Sequence, residues 1–345
     1  MNEFIEKMAE RARQTPKKVG FPEALNPDVL KTAAMCVSTG IGMPVLIGND
    51  AQIRQTAAGA GISLEGCRIF DNTDPALLAE TAGEYLKAFP DFSEKTALRK
   101  LKKPLTCAMM LLRLGTVDCV AAGKDYPTGD VVFEAIGIVG LQPGVENPSS
   151  LGIADIPGFT LGENGMLALA DCAITAQPDA KDLAGIAIAS ADTVRTLLGW
   201  EPRVAMLAFS TCGSAEHESV EVVRQAVELA KKLRPELKID GEFQLDAAIL
   251  PQTARKKVKR ESSVAGKANV LIFPNLHAGN IGVKLIQIFG HANAYGPVLQ
   301  GFAKPVCDFS RSAPVEEMLG NVAMLVIRAG SEEREGIYQK SKFHY

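Results

Sequence analysis

Two stretches decide how this chain reads: NVLIFPNLHAGNIGVK at Asn269–Lys284 and GFAKPVCDFSR at Gly301–Arg311. Val270–Phe273 is an apolar run closed by a Pro-Asn pair, the pattern of a buried strand that ends in a loop. The expected loop carries Asn275, His277, Gly279 and Asn280, small and amide residues that let backbone amides approach a ligand closely. In the second stretch Asp308, Ser310 and Arg311 place an acid, a hydroxyl and a guanidinium within four positions. A strand end bearing these groups suits an anionic substrate, because a guanidinium stays charged when partly buried and offers paired donors.

Working outward, the same kind of apolar run recurs at Pro44–Gly48, Val117–Ala122 and Val204–Phe209. Longer amphipathic stretches separate these runs, which predicts an α/β protein with parallel sheets. Helical periodicity is clearest at Val220–Arg234, where Val220, Val223, Val227, Ala230 and Leu233 share a stripe and Pro235 closes the helix. A length of 345 residues favours two domains. Gly140–Gly165, rich in Gly, Pro, Ser and Asn, is the expected crossing between them.

Net charge of −3 gives no support to a nucleic-acid or membrane-surface role, and no run of 18 apolar residues predicts a transmembrane helix. The N-terminal stretch is a charged amphipathic helix pattern without an apolar signal core. Seven cysteines at irregular spacing, without a CxxC pair, point to a reducing compartment and away from a zinc site. The four histidines share no metal-ligand spacing. The expectation is a cytoplasmic protein with no metal, whose polar tail Ser331–Tyr345 frays or packs loosely.

Several segments together resemble the phosphate acetyltransferases of the phosphate acetyl/butyryltransferase family. They are Lys18–Ala33, Leu98–Thr106, Val204–Ala215, Asp240–Pro251, Ser262–Lys284 and Ala294–Arg311, and the likeness is collinear from about residue 16 to about residue 330. The resemblance implies two three-layer α/β/α domains with the active site in a cleft between them, similar to the isocitrate dehydrogenase-like fold. The first domain would be discontinuous, 1–145 with 300–345, and the second would be 146–299. It implies reversible transfer of an acetyl or short acyl group between coenzyme A and inorganic phosphate. Coenzyme A would be a substrate, with no tightly bound cofactor, and the assembly would be a homodimer.

The resemblance also assigns residues. Arg311 and Ser310 would stabilise charge on the acyl phosphate, and Glu317 stands where the family has an aspartate proposed to deprotonate the thiol. Arg99, Thr128, Asp130, Asn280 and Lys284 would contact coenzyme A. Thr211, Gly213, Ser214, Asn275 and Gly279 would hold phosphate or substrate, the turn Thr211–Ser214 acting as an anion cradle before a helix. Plainer readings stand beside these. Glu316 and Glu317 can simply open a helix after Pro314, and Arg99–Lys103 can be a solvated face. Asp171 either orients a group near the site or caps a turn, and His277 is a secondary candidate. Cys212, without a neighbouring histidine, is assigned no chemistry.

The pattern is broken in places. Phe133 and Ile288 stand where the resemblance calls for arginines that bind coenzyme A, and the base position is Glu rather than Asp. A lost charge-assisted contact is worth about 1.5–3 kcal/mol, roughly ten- to a hundredfold in affinity. These departures keep a second reading open, a non-catalytic or altered-specificity paralogue that binds acyl phosphate or coenzyme A. A third, an oxidoreductase or decarboxylase of the shared fold, would need a nicotinamide site, and no GxGxxG opens a helix after a strand.

Overall fold

The computed structural model describes residues 3–142 and 145–334. The chain divides into two units, one built from the segment up to Gln142 together with the segment from Phe302 onward, the other from the intervening chain up to Gly301. In chain order the first unit opens with α1 (Glu3–Arg13), β1 (Lys17–Phe21), α2 (Pro27–Thr39), β2 (Gly42–Ile47), α3 (Asp50–Gly59) and β3 (Arg68–Phe70). It continues with α4 (Pro75–Ala88), α5 (Glu94–Leu101), α6 (Pro104–Leu114), β4 (Cys119–Ala122) and α7 (Thr128–Glu134), the last running into a π-helical turn at Ala135–Val139. The second unit holds β5 (Ser149–Asp155), β6 (Met166–Ala170), α8 (Ala180–Leu198), β7 (Arg203–Leu207), α9 (Glu218–Leu233) and β8 (Lys238–Phe243). After these come α10 (Leu245–Ile249), α11 (Pro251–Lys257), β9 (Val270–Ile272), α12 (Leu276–Phe289) and β10 (Asn293–Gln300). The chain then returns to the first unit as β11 (Val306–Asp308) and α13 (Val315–Arg334).

In the first unit the strands are all parallel, in the order β3-β2-β1-β4-β11. Every residue of β4 is buried, which requires cover on both faces, and α6 and α13 both pack on β1, β2 and β4. The chain winds from β1 outward through β2 and β3, then resumes on the other side at β4. That reversal places a topological switch between β1 and β4, where open parallel sheets bind ligands beyond their carboxyl ends. Local chemistry agrees with this layout. Asn26 caps α2 by accepting from the Asp28 and Val29 amides at 2.9 and 3.4 Å, and Pro27 occupies the first turn, where no amide hydrogen is missed.

The second unit has the order β10-β5-β6-β9-β7-β8. Strands β6, β9, β7 and β8 run parallel, while β5 is antiparallel to both β6 and β10. Its core joins Leu167, Leu169, Ala205, Leu207, Phe243 and Leu271, with Val283 and Ile286 of α12 packed against them.

Three expectations change. The crossing between the units is narrower than Gly140–Gly165, because Ser149–Asp155 forms β5, and the divisions fall at 142/143 and 301/302. The expected loop at Asn275–Asn280 is the first turn of α12. Asn275 is its N-cap, accepting from the Ala278 amide at 3.0 Å. Gly279 fits there because a Cβ would lie 2.1 Å from the Asp171 carbonyl oxygen. The expected frayed tail is helical through Arg334, and Ser331 bonds back to the Ile327 carbonyl at 3.0 Å; the remainder lies outside the described residues.

Candidate active site

Three parallel strands of the first unit deliver their carboxyl ends to one edge, and each end carries an ionisable group. Beyond β1 stands Glu23, only 6% exposed, whose carboxylate accepts the backbone amides of Lys124, Asp125 and Tyr126 at 3.1, 2.6 and 2.8 Å. Burial pushes Glu23 above the ordinary carboxylate range, although those amides oppose the shift. Beyond β4 comes Gly123, at φ +101°, where a Cβ would fall 2.1 Å from Asp308 Oδ1 and 2.7 Å from the Phe309 nitrogen. Only glycine accepts both that dihedral and that approach. Lys124 follows, its ammonium donating to the Arg311 and Ala313 carbonyls at 3.2 and 2.8 Å.

Asp308 ends β11. It is 2% exposed and accepts the Thr128 hydroxyl at 2.6 Å, while its buried Oδ1 has no hydrogen-bond partner among the described residues. Its carboxyl is pushed up to about 6, chiefly by burial, with the Thr128 bond opposing and Glu23 adding to the rise. Two residues on, Ser310 and Arg311 emerge exposed, and Ser310 Oγ lies 3.0 Å from Ser312 Oγ. One helical turn into the next element is Glu317, half-buried and pushed up to about 7 by burial, with Lys124 opposing. A carboxyl that titrates near neutrality can take a proton and return it, the requirement for a general base working at neutral pH. Glu316 and Glu317 also open a helix, since α13 begins at Val315 and both sit in its first turn.

A pocket of about 390 Å³ opens at the same strand ends, lined by Glu23, Leu25, Asn49, Asn72, Lys102 and Tyr126 among others. Asn72 is 1% exposed and gives its amide hydrogens to the Leu101 and Lys102 carbonyls at 3.0 and 2.9 Å. Those bonds fix the direction of the amide and leave its oxygen as an acceptor.

The remaining predicted residues are less uniform. Thr128 belongs to the site through Asp308, whereas Asp130 is exposed in the first turn of α7 and Arg99 is exposed in the last turn of α5. In the second unit, the turn Thr211–Ser214 does not offer the expected cradle. The Thr211 amide donates to Ser214 Oγ at 2.9 Å, Cys212 to the Glu242 carbonyl at 3.2 Å, Gly213 to the Glu242 carboxylate at 2.9 Å and Ser214 to the Thr211 carbonyl at 3.2 Å. The turn already holds an anion, a glutamate from β8 that also pairs with Arg224 at 3.3 Å. Asn275 and Gly279 are committed to capping and close packing, as described above. Asn280 donates to the Cys172 carbonyl at 3.2 Å, and Lys284 is exposed on α12. Asp171 caps a turn, its buried carboxylate accepting the Ser150 hydroxyl and the amides of Ala173, Ile174 and Thr175.

Sequence reasoning passed over Glu23 and Lys124 and gave Asp308 no role. A usable signal was present: each follows closely on, or ends, an apolar run of a parallel sheet, where ligand-binding groups concentrate.

A family model described as phosphate acetyl/butaryl transferase matches residues 3–326. The phosphate acetyltransferase of Thermoanaerobacterium thermosaccharolyticum is 41% identical over 332 residues, covering 94% of this chain and 99% of that protein. Its counterpart in Bacillus subtilis is 36% identical over 330 residues, covering 94% and 98%. A solved phosphotransacetylase from Streptococcus pyogenes superimposes with a TM-score of 0.89 at 31% identity, over 95% of this chain and 99% of that one. The chain therefore belongs to the phosphate acetyl/butaryl transferase family and has the isocitrate dehydrogenase-like α/β fold.

Proposed function

We propose that the protein catalyses reversible transfer of an acetyl or short acyl group between coenzyme A and inorganic phosphate. The observation that carries this reading is Glu317, a carboxyl pushed up to about 7 in the first turn of the helix that follows the Ser310–Arg311 loop. In the direction of thioester formation, ionised Glu317 takes the proton of the coenzyme A thiol. The thiolate sulfur attacks the carbonyl carbon of acetyl phosphate, the carbon–sulfur bond forms, and the bond to the phosphate oxygen breaks. Phosphate leaves with the electron pair. Arg311 and Ser310 donate hydrogen bonds to the oxygens on which charge builds, so their contribution is greatest in the transition state. The scheme uses no metal ion and no covalent enzyme intermediate.

The pocket beside Glu23 suits the uncharged, amide-bearing arm of coenzyme A, because Leu25 and Asn72 on its wall offer apolar and amide surface. Arg99, Asp130, Asn280 and Lys284 are assigned to the remainder of coenzyme A, and Thr128 to positioning Asp308. Thr211, Gly213, Ser214, Asn275 and Gly279 are assigned a supporting rather than a direct role toward phosphate, since their polar groups are largely committed within the fold. Nothing in the comparisons supports a non-catalytic role.

We place the protein in the cytoplasm; among the described residues no helix is long and apolar enough to cross a membrane. A homodimer is proposed as well. Helix α12 exposes Ile281, Leu285, Ile288 and Phe289 as one apolar stripe, a feature that marks association surfaces. Sedimentation of the wild type and of Phe289→Asp tests it, a monomeric wild type being the refuting result.

The experiment for the activity is thioester formation from coenzyme A and acetyl phosphate, with Arg311→Ala alongside. Loss of one such donor lowers kcat about 10²–10³-fold. Turnover by Arg311→Ala close to wild type would remove Arg311 from the mechanism. No turnover by the wild type with acetyl, propionyl or butyryl phosphate would remove the transferase reading itself.

A further inference from the structure

Lys124 has a single-residue environment that the reaction as drawn leaves unused. It follows Gly123 at the end of β4, and its side chain is 10% exposed. Its ammonium reaches three acceptors: the carbonyls of Arg311 at 3.2 Å and Ala313 at 2.8 Å, and the Asp28 carboxylate of α2 at 3.2 Å. Each proton of the ammonium thus has a taker. Burying a lysine to this extent costs solvation that a neutral donor would not cost, so bonding two carbonyls alone is a poor reason for its presence. The charge faces inward, toward the ground between the Ser310–Arg311 loop and the first turn of α13.

We propose that Lys124 is a positioning residue of the transfer reaction: it clamps the loop carrying Ser310 and Arg311 by its backbone and sets the positive charge that faces the base, Glu317. The inference rests on the transferase reading given above. Geometry supplies the clamp, since both carbonyls belong to the short loop between β11 and α13. Electrostatics supplies the second part, because Lys124 is the charge that opposes the effect of burial on Glu317. The other ionisable groups around that spot are Glu316 and Arg328 of α13, Cys307 and Asp308 of β11, Arg311 beyond it, Asp28 of α2 and Glu23 beyond β1. Burial favours a proton on Glu317, and the Lys124 charge works against it.

The test compares Lys124→Met, which keeps length without charge, with Lys124→Arg, which keeps charge but alters the three-way geometry. Thioester formation is followed from pH 5.5 to 8.5, with melting temperatures recorded to confirm folding. In Lys124→Met, kcat should fall tenfold or more, KM for coenzyme A should stay within about threefold, and the acid limb of the profile should move up by at least half a pH unit. In Lys124→Arg the limb should stay where it is in the wild type while part of kcat is recovered. An acid limb that does not move in Lys124→Met, whatever happens to kcat, reduces Lys124 to a structural residue and overturns the proposal. A measurement independent of turnover settles the same point. The carboxyl carbon of Glu317, assigned by its disappearance in Glu317→Gln, is titrated by NMR in the wild type and in Lys124→Met. An upward shift in the variant is expected, and an unchanged titration overturns the proposal. Absence of thioester formation by the wild type would instead count against the transferase reading, and the NMR titration would still decide whether Lys124 faces the base.

Discussion

If Glu317 is the base, the rate must follow its ionisation. Its carboxyl is pushed up to about 7 from an ordinary 4.5, so the carboxylate fraction is roughly nine-tenths at pH 8 and roughly one-tenth at pH 6. The value of kcat/KM for coenzyme A, at saturating acetyl phosphate, should therefore drop about tenfold between pH 8 and pH 6 and about tenfold per unit below that. A glutamate with an ordinary pKa would give a flat profile over the same range. The assay is continuous absorbance of the thioester in buffers of constant ionic strength. Glu317→Gln should lower kcat by about 10²–10⁴, the usual contribution of a positioned base. Its residual rate should rise with the ionisation of the free thiol, at about pH 8.5 by analogy with cysteine, instead of with a group near 7. Asp308, pushed up to about 6, would steepen the acid limb further and would survive in Glu317→Gln. A wild-type profile that stays flat from pH 6 to 8, or a limb near 7 that persists in Glu317→Gln, refutes the assignment.

Three further outcomes follow from particular contacts. Gly123→Ala forces a Cβ to within 2.1 Å of Asp308 Oδ1 at φ +101°, and urea unfolding should show a loss of about 3 kcal/mol or more. Phe133 is 73% exposed, so Phe133→Arg can be made without disturbing packing and should lower KM for coenzyme A about tenfold at low salt, with the gain shrinking as salt is added. Asp308 titrates higher in the folded state than its ordinary 3.8, so its contribution to stability is present below about pH 4 and is lost as pH rises through about 6. Asp308→Asn should thus stabilise the protein at pH 8 relative to pH 4, by about 1–3 kcal/mol, as read from melting temperatures at the two pH values.

The parallel strands were legible because burial on both faces writes them as unbroken apolar runs, as in Val204–Leu207 and Val270–Ile272. The placement of Ser310 and Arg311 beyond such a strand was legible for the same reason. What the sequence hides is partnership across distance. Nothing near Thr211–Ser214 discloses that Glu242 will fill the turn with its own carboxylate. Pro274, Asn275 and Gly279 read as loop, yet the Asn275 cap and the packing of Gly279 on the turn at Asp171 make that segment helical. Glu23, Lys124 and Asp308 lie far apart in sequence and meet only because β1, β4 and β11 are neighbours in one sheet. The titration of Glu23 and Asp308 depends on burial, which no local pattern encodes.

The split of the first unit has a consequence for how the protein is made. Strand β11 and helix α13 leave the ribosome only after the whole second unit, a delay of about 10–30 s at ordinary synthesis rates. During that interval helices α1 and α2 lack the cover that α13 gives them, and Ile5, which lies against Gly320 of α13, is among the residues left open. The second unit, continuous in sequence, is free to fold first. The nascent first unit is then the part in need of a holding chaperone, and a fragment ending at Gln142 should aggregate where the intact chain does not. Under the proposed assignment Ser310, Arg311 and Glu317 all lie in the final segment, so a chain cut short anywhere before β11 would lack all three and activity would arise only in finished molecules.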